Sequence, residues 1–171
     1  MAADSTQYAF FVIFAAMMAY AAVNDILTMT ISNRLTAGLV VGFVAFAPLI
    51  GMDWQTFALH GLAGALVLAV AFFCFAMGWI GGGDAKLAAV IALWVGIGNT
   101  LSFIVLASLL GGALTMLLLA FRRSVVPIFL IRQAWVQRLH DEKGGVPYGV
   151  ALAAAGLATF PDTVWMRVAT G

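Results

Sequence analysis

Charge is what this sequence has least of. Its 171 residues include 8 Lys and Arg and 7 Asp and Glu, 9% in all. A soluble domain carries about a quarter charged residues, so a water-soluble globule is excluded. The net charge is +1, and the clustered basic surface that nucleic acid requires is missing; no nucleic-acid partner is expected. Cysteine is nearly absent. Cys74 stands alone in an apolar run, which rules out an internal disulfide or a Cys-based zinc module. It reads as a small buried hydrophobe. Neither a metal nor a cofactor is expected. The basic n-region of a signal peptide is also lacking: Met1 to Gln7 holds no Lys or Arg. The apolar stretch Tyr8 to Val23 therefore reads as a retained span, although Ala19-Tyr20-Ala21 resembles a cleavage site.

What is abundant is apolar sequence, 64% of the chain. At roughly 20 residues per span, the length leaves room for about six helices and no separate soluble domain. The expected fold is an all-α integral membrane protein with six transmembrane helices, residues 1–171 forming one membrane-embedded domain. After Tyr8 to Val23 comes a polar break, Asn24 to Arg34. Leu35 to Gly51 is the second span, with Pro48 near its end. Met52 to Gln55 is a turn whose Trp54 suits an interface. Thr56 to Trp79 is the third span. Leu87 to Gly98 is a short fourth, of membrane length only if it runs from Asp84 or Ala85 to about Asn99. Ser102 to Phe121 is the fifth, and Gly111-Gly112 in its middle allows close helix packing. A sixth, opened by Gly144 to Gly149, runs to Phe160, with Pro147 at or near its first helical position. Between the last two, a loop at about 124–143 carries Ile128, Ile131, Trp135 and Leu139 at helical spacing. Pro127 to His140 is thus expected to be an amphipathic interfacial helix, either anchoring in lipid or touching a substrate.

Breaks alternate sides. The loops after spans one, three and five hold Arg34, Lys86, Arg122, Arg123, Arg132, Arg138 and Lys143; the other side holds only Arg167. The positive-inside rule makes the richer side cytoplasmic, with both termini on the non-cytoplasmic side.

This topology puts two acids at span boundaries on one face: Asp25, in the loop after span one, and Asp84, after Gly81-Gly82-Gly83. Asp4, Asp53 and Asp162 fall on the other side, and Asp141 and Glu142 in the loop. Ionisable groups beside lipid are costly and are functional candidates. Glycine permits positive φ and close approach, so the turn presents one carboxylate at a helix start, with Gly83 expected in a conformation denied to larger residues. The plain alternative for each Asp is a helix cap. Two carboxylates that share a site share a proton, so one can act as base and the other as acid in peptide hydrolysis. No Ser-His or Cys-His set competes: His60 faces away in span three and His140 lies in the loop, both read as structural. Lys86 either holds a carboxylate ionised or anchors the positive-inside face.

These residues resemble a known family. Gly81-Gly82-Gly83-Asp84 matches the Gly-x-Gly-Asp motif of the membrane aspartic proteases, and Ala85-Lys86-Leu87 resembles its continuation in the type IV prepilin peptidases. Asp25 through Asn33 resembles their first motif, an Asp followed by Ile-Pro-Asn, with Ser32 in place of the proline. Val146-Pro147-Tyr148-Gly149 resembles their late Pro-aromatic-Gly segment. The likeness covers nearly the whole chain and is nearest to the short Tad/Flp-pilus type. It implies catalytic residues Asp25 and Asp84, with Gly81, Gly83, Lys86, Asn33 and Pro147 in support. It implies a multi-pass enzyme of the bacterial inner membrane, in contact with lipid. Its substrates would be prepilin or pseudopilin precursors of pilus assembly or type II secretion, whose leaders are cut on the cytoplasmic side, after a glycine and before an apolar helix. Longer members carry an N-terminal segment, often with paired Cys-x-x-Cys, and also N-methylate. Nothing like it is present, so a peptidase without methyltransferase activity is expected. The alternative is a non-enzymatic small transporter or a pilus or secretion assembly subunit.

Overall fold

The apolar runs fold as helices because a backbone in lipid must satisfy its hydrogen bonds internally. In the computed structural model, the backbone is described for residues 2–142 and 144–167, and the side chains within them for all but residues 2–8, 128, 131 and 167. The elements among these residues are α1 Ala2–Thr28, α2 Asn33–Phe46, α3 Trp54–Ala76, α4 Gly82–Val95, α5 Ile97–Arg122, α6 Ile128–Ile131, α7 Ala134–His140, α8 Tyr148–Thr159 and α9 Val164–Arg167, with short 3-10 turns at Pro48–Ile50 and Phe160–Asp162. No strand occurs among them.

Four helices are long and apolar enough to cross a membrane: Ala9–Thr28, Asn33–Ile50, Trp54–Ala76 and Ile97–Arg122. The fourth and sixth expected spans, α4 and α8, have only 14 and 12 residues. At 1.5 Å per residue each is roughly 20 Å long, against a hydrocarbon core of about 30 Å. They are interior helices. α4 packs against α2, α3, α5 and α8, and eight of its residues are buried.

The expected fourth span does not continue to Asn99. It stops at Val95, and α5 starts at Ile97, five residues before the Ser102 expected from sequence. Gly96 makes the break, with φ 77° and ψ 169°, a region open essentially to glycine. His60 locks it: its Nδ1 lies 2.8 Å from the Leu93 carbonyl, and a Cβ on Gly96 would sit 2.6 Å from its Nε2. Gly96→Ala combines backbone strain with overpacking against a buried ring, and is expected to cost about 2–4 kcal/mol. A thermal-unfolding midpoint in detergent equal to that of the unsubstituted protein would refute this.

Contacts sort the helix ends into two groups. One end holds the aromatic core. Trp94 of α4 donates to the Leu39 carbonyl of α2, and Trp165 of α9 donates to the Trp94 carbonyl. Their rings stand 4.8 Å apart, and Phe14 stacks on Phe160 at 4.4 Å. The short tail thus folds back to bury Trp165, which its sequence did not announce. The opposite end is glycine-rich. Here meet the C-termini of α1, α3 and α5, the N-termini of α2, α4 and α8, and the segment α6–α7. Arg34, Lys86, Arg122, Arg123, Arg132 and Arg138 all belong to this end. Lys143 lies outside the described residues, as do the side chains of Asp4 and Arg167.

The amphipathic stretch is not one helix. It breaks at Arg132-Gln133, where Gln133 is extended. Helices shorter than 12–15 residues are marginal alone, so contacts decide their course. Arg122 Nε donates to the Leu139 carbonyl at 2.8 Å, drawing α7 across the end of α5. Trp135, Val136 and Leu139 then line an apolar recess with Ile26, Leu117 and Phe121; the side chains of Ile128 and Ile131 lie outside the described residues. Ser32, the departure from the family pattern, caps α2 by accepting from the Arg34 N–H.

Candidate active site

Asp25 was expected in a loop; it lies in the last turn of α1. Side chains brace the end of the helix and the turn that follows it. Thr28 Oγ1 donates to the Asn24 carbonyl at 2.7 Å, and Asn24 Nδ2 donates to the Thr30 carbonyl at 2.7 Å. Met29 ends the helix with φ 54°, its N–H closing on the Asp25 carbonyl. A left-handed non-glycine residue holds local strain, and Met29 lines the cavity described below.

Asp25 is buried, the residue 4% exposed. Its Oδ2 accepts from the Gly149 N–H at 2.8 Å. That N–H belongs to the first turn of α8, where backbone donors have no partner within the helix and the dipole favours an anion. Pro147 is the cap residue of α8, next to the first helical position, Tyr148. The fit at Gly149 is tight: a Cβ there would lie 2.7 Å from Asp25 Oδ2 and 3.0 Å from Ile31 Cδ1.

Asp84 sits in the first turn of α4, and Gly81, not Asp84, is the cap residue. The Gly81 N–H bonds back to the Asp84 carboxylate, the reciprocal half of a capping box. A Cβ on Gly81 would be 2.9 Å from Asp84 Oδ2. Gly83 is helical, and the positive-φ glycines among the described residues are Gly51, Gly78 and Gly96. The reason for glycine at 83 is therefore proximity rather than φ: a Cβ would meet Ile31 Cβ at 3.1 Å and Ile31 N at 3.4 Å. Gly82 faces only the ring of Phe75, at 3.2 Å, and that residue is about half exposed.

The two carboxylates come from different helices and line one cavity of about 680 Å³, with Met29, Asn33, Lys86 and Tyr148 also in its wall. They lie within electrostatic reach of each other. Lys86 contacts neither: its Nζ donates to Asn33 Oδ1 at 2.9 Å, tying the start of α4 to the start of α2. Lys86 and Asn33 thus form one cross-link, and the expectation that Lys86 holds a carboxylate ionised finds no contact behind it. His60 lies in the aromatic end, and His140 stands edge-on to Phe121 at 5.4 Å; neither lines the cavity. No cluster of potential metal ligands occurs among the described residues.

Three residues have roles that were not assigned from sequence, although Tyr148 and Gly149 stand in the Pro-aromatic-Gly segment quoted there. Gly149 holds Asp25. Tyr148 lines the cavity, its ring over Gly111. Arg122, read only as positive-inside charge, donates from Nη2 to the Gly144 and Gly145 carbonyls at 2.9 and 2.8 Å and so fixes the loop that delivers Gly149. The Pro-aromatic-Gly segment at a helix start carried the signal for both Gly149 and Tyr148; no sequence signal marks the clamp made by Arg122.

Comparison with curated proteins and with solved structures gives no match. A family model does match, over residues 12–116, more than half of the chain and a range that includes both Asp25 and Asp84. By that match the chain belongs to the type IV leader peptidase family.

Proposed function

We infer that this is a membrane aspartic endopeptidase that removes the leader peptide of type IV, Flp-like prepilins. One observation carries the reading: Asp25 of α1 and Asp84 of α4 reach a single open cavity from separate helices. Two carboxylates so placed share a proton. The ionised one takes a proton from water, and the hydroxide formed attacks the peptide carbonyl. The protonated one gives its proton to the amide nitrogen, the C–N bond breaks, and a new carboxyl and a new amine leave. The Gly149 N–H holds Oδ2 of Asp25 and fixes its rotamer, leaving the other oxygen for the water.

The cavity lies at the end that gathers the basic residues, which on the positive-inside rule faces the cytoplasm. This favours six membrane-embedded helices with both termini on the far side, in the bacterial inner membrane, and a leader cut from the cytoplasmic face. The short α4 and α8 start at this cavity, so water and an extended peptide reach the carboxylates without crossing the membrane. A transporter would carry its acids near mid-membrane; here both stand at one end of the helices.

The test is co-expression with pilin-like precursors encoded in the same genome, read by mass spectrometry of the precursor. Loss of the leader, with cleavage after a glycine, is the expected outcome. Every precursor remaining full length beside well-expressed, membrane-inserted protein would refute the reading.

A further inference from the structure

A second hollow adjoins the cavity. It is an open groove of about 480 Å³ between α4, α5 and α8, and it shares Trp79, Ile80, Asp84 and Tyr148 with the cavity. Beyond these the lining is mostly apolar, large at Phe103, Ile104 and Leu152 and small at Ala107, Ser108 and Gly112. Two of these have no structural reason within the chain. Glycine weakens a helix interior, yet a Cβ on Gly112 would meet nothing within 4 Å. Its neighbour Gly111 is different, because a Cβ there would press on the Tyr148 ring at 3.2 Å. Ser108, one turn before Gly112, is exposed, and its hydroxyl is turned back onto the Ile104 carbonyl at 2.8 Å. Ser108 and Gly112 thus present a small-xxx-small face to an unfilled groove, the pattern by which membrane helices approach closely.

We propose that this groove seats the apolar helix of the precursor, with Tyr148 marking where the chain leaves the groove and passes Asp84. The proposal rests on the peptidase reading and adds a binding site to it. The precursor is favoured over a second copy of this chain by continuity: the groove ends on Asp84, so a helix lying in it directs its terminus at the carboxylates. A polar leader then occupies the cavity, with its glycines, carboxylates, Asn33 and Lys86, while the apolar helix occupies the apolar groove. The contact from Ile104 to Gly112 spans about 12 Å of helix, so recognition falls on the first turns after the cut.

The experiment uses the full chain in detergent with two substrates, a full-length precursor and a soluble peptide ending a few residues beyond the scissile bond. Gly112→Leu and Ser108→Leu fill the groove from positions with room for a side chain. Ala113→Leu, exposed on α5 outside the groove lining, is the control. Each groove variant is expected to raise KM for the precursor about tenfold or more with kcat nearly unchanged, and to leave cleavage of the soluble peptide unaltered, since only uniform binding is lost. In a Cys74→Ser background, Gly112→Cys is expected to cross-link to a cysteine in the first turns of the precursor helix. Wild-type KM for the precursor in both groove variants overturns the proposal, as does a Gly112→Cys that cross-links only to a second copy of itself. An unsubstituted protein that cuts neither substrate overturns the peptidase reading and the groove with it.

Discussion

Asp25→Asn and Asp84→Asn are each expected to lower cleavage by about a thousandfold or more while leaving the protein inserted and folded. Proton transfer by a positioned group contributes roughly 10²–10⁴-fold, and a dyad that loses either member loses both the base and the acid steps. The substitution is conservative in structure. An Asn at 25 retains an oxygen to accept from the Gly149 N–H, and one at 84 retains an oxygen for the Gly81 N–H, the two bonds that hold these side chains in place. The fold is therefore spared and the chemistry is not. The measurement is single-turnover cleavage of a purified precursor, with thermal unfolding recorded in parallel. Either variant cutting at the wild-type rate would remove that residue from the dyad and return it to the role of a helix-terminal cap.

Gly149→Ala is expected to lower the cleavage rate about a hundredfold with a much smaller effect on stability. A methyl group at this position would lie 2.7 Å from Asp25 Oδ2 and 3.1 Å from Asp25 Cβ. The carboxylate must move, and a displacement of about 1 Å in a catalytic group costs on the order of 10²-fold. Gly145→Ala is the matched control, because it lies in the same loop and a Cβ there would meet nothing within 4 Å. The same logic covers the glycines beside Asp84. Gly83→Leu would push on Ile31, which also touches Gly149, and so would disturb both carboxylates; Gly82→Ala meets only the ring of the half-exposed Phe75. Equal rates for Gly149→Ala and Gly145→Ala would show that the tight contact to Asp25 has no part in positioning it.

The helical character of the chain, the positions of its apolar segments and the placing of Asp25 and Asp84 at one end of the helices were legible in the sequence. Composition, spacing and charge bias are one-dimensional properties, and a chain that must satisfy its backbone in lipid has few folds to choose from. Helix ends were less legible. α1 ran into its polar break to include Asp25, its end braced by Asn24 and Thr28, and Gly96 cut α4 from α5 four residues earlier than hydrophobicity suggested, since hydrophobicity does not register a local hydrogen bond or a φ of 77°. What only the tertiary structure decided was which groups meet. The bond from Gly149 to Asp25 joins residues 124 apart in sequence. Lys86 found Asn33 rather than a carboxylate, and Arg122 turned from a topological marker into the clamp on the loop before α8. The physical reason is common to all three. A side chain's type states what it is able to bond, but its partner is set by where packed helices bring distant backbone, and in this protein that placement rests on small residues whose missing side chains make the room.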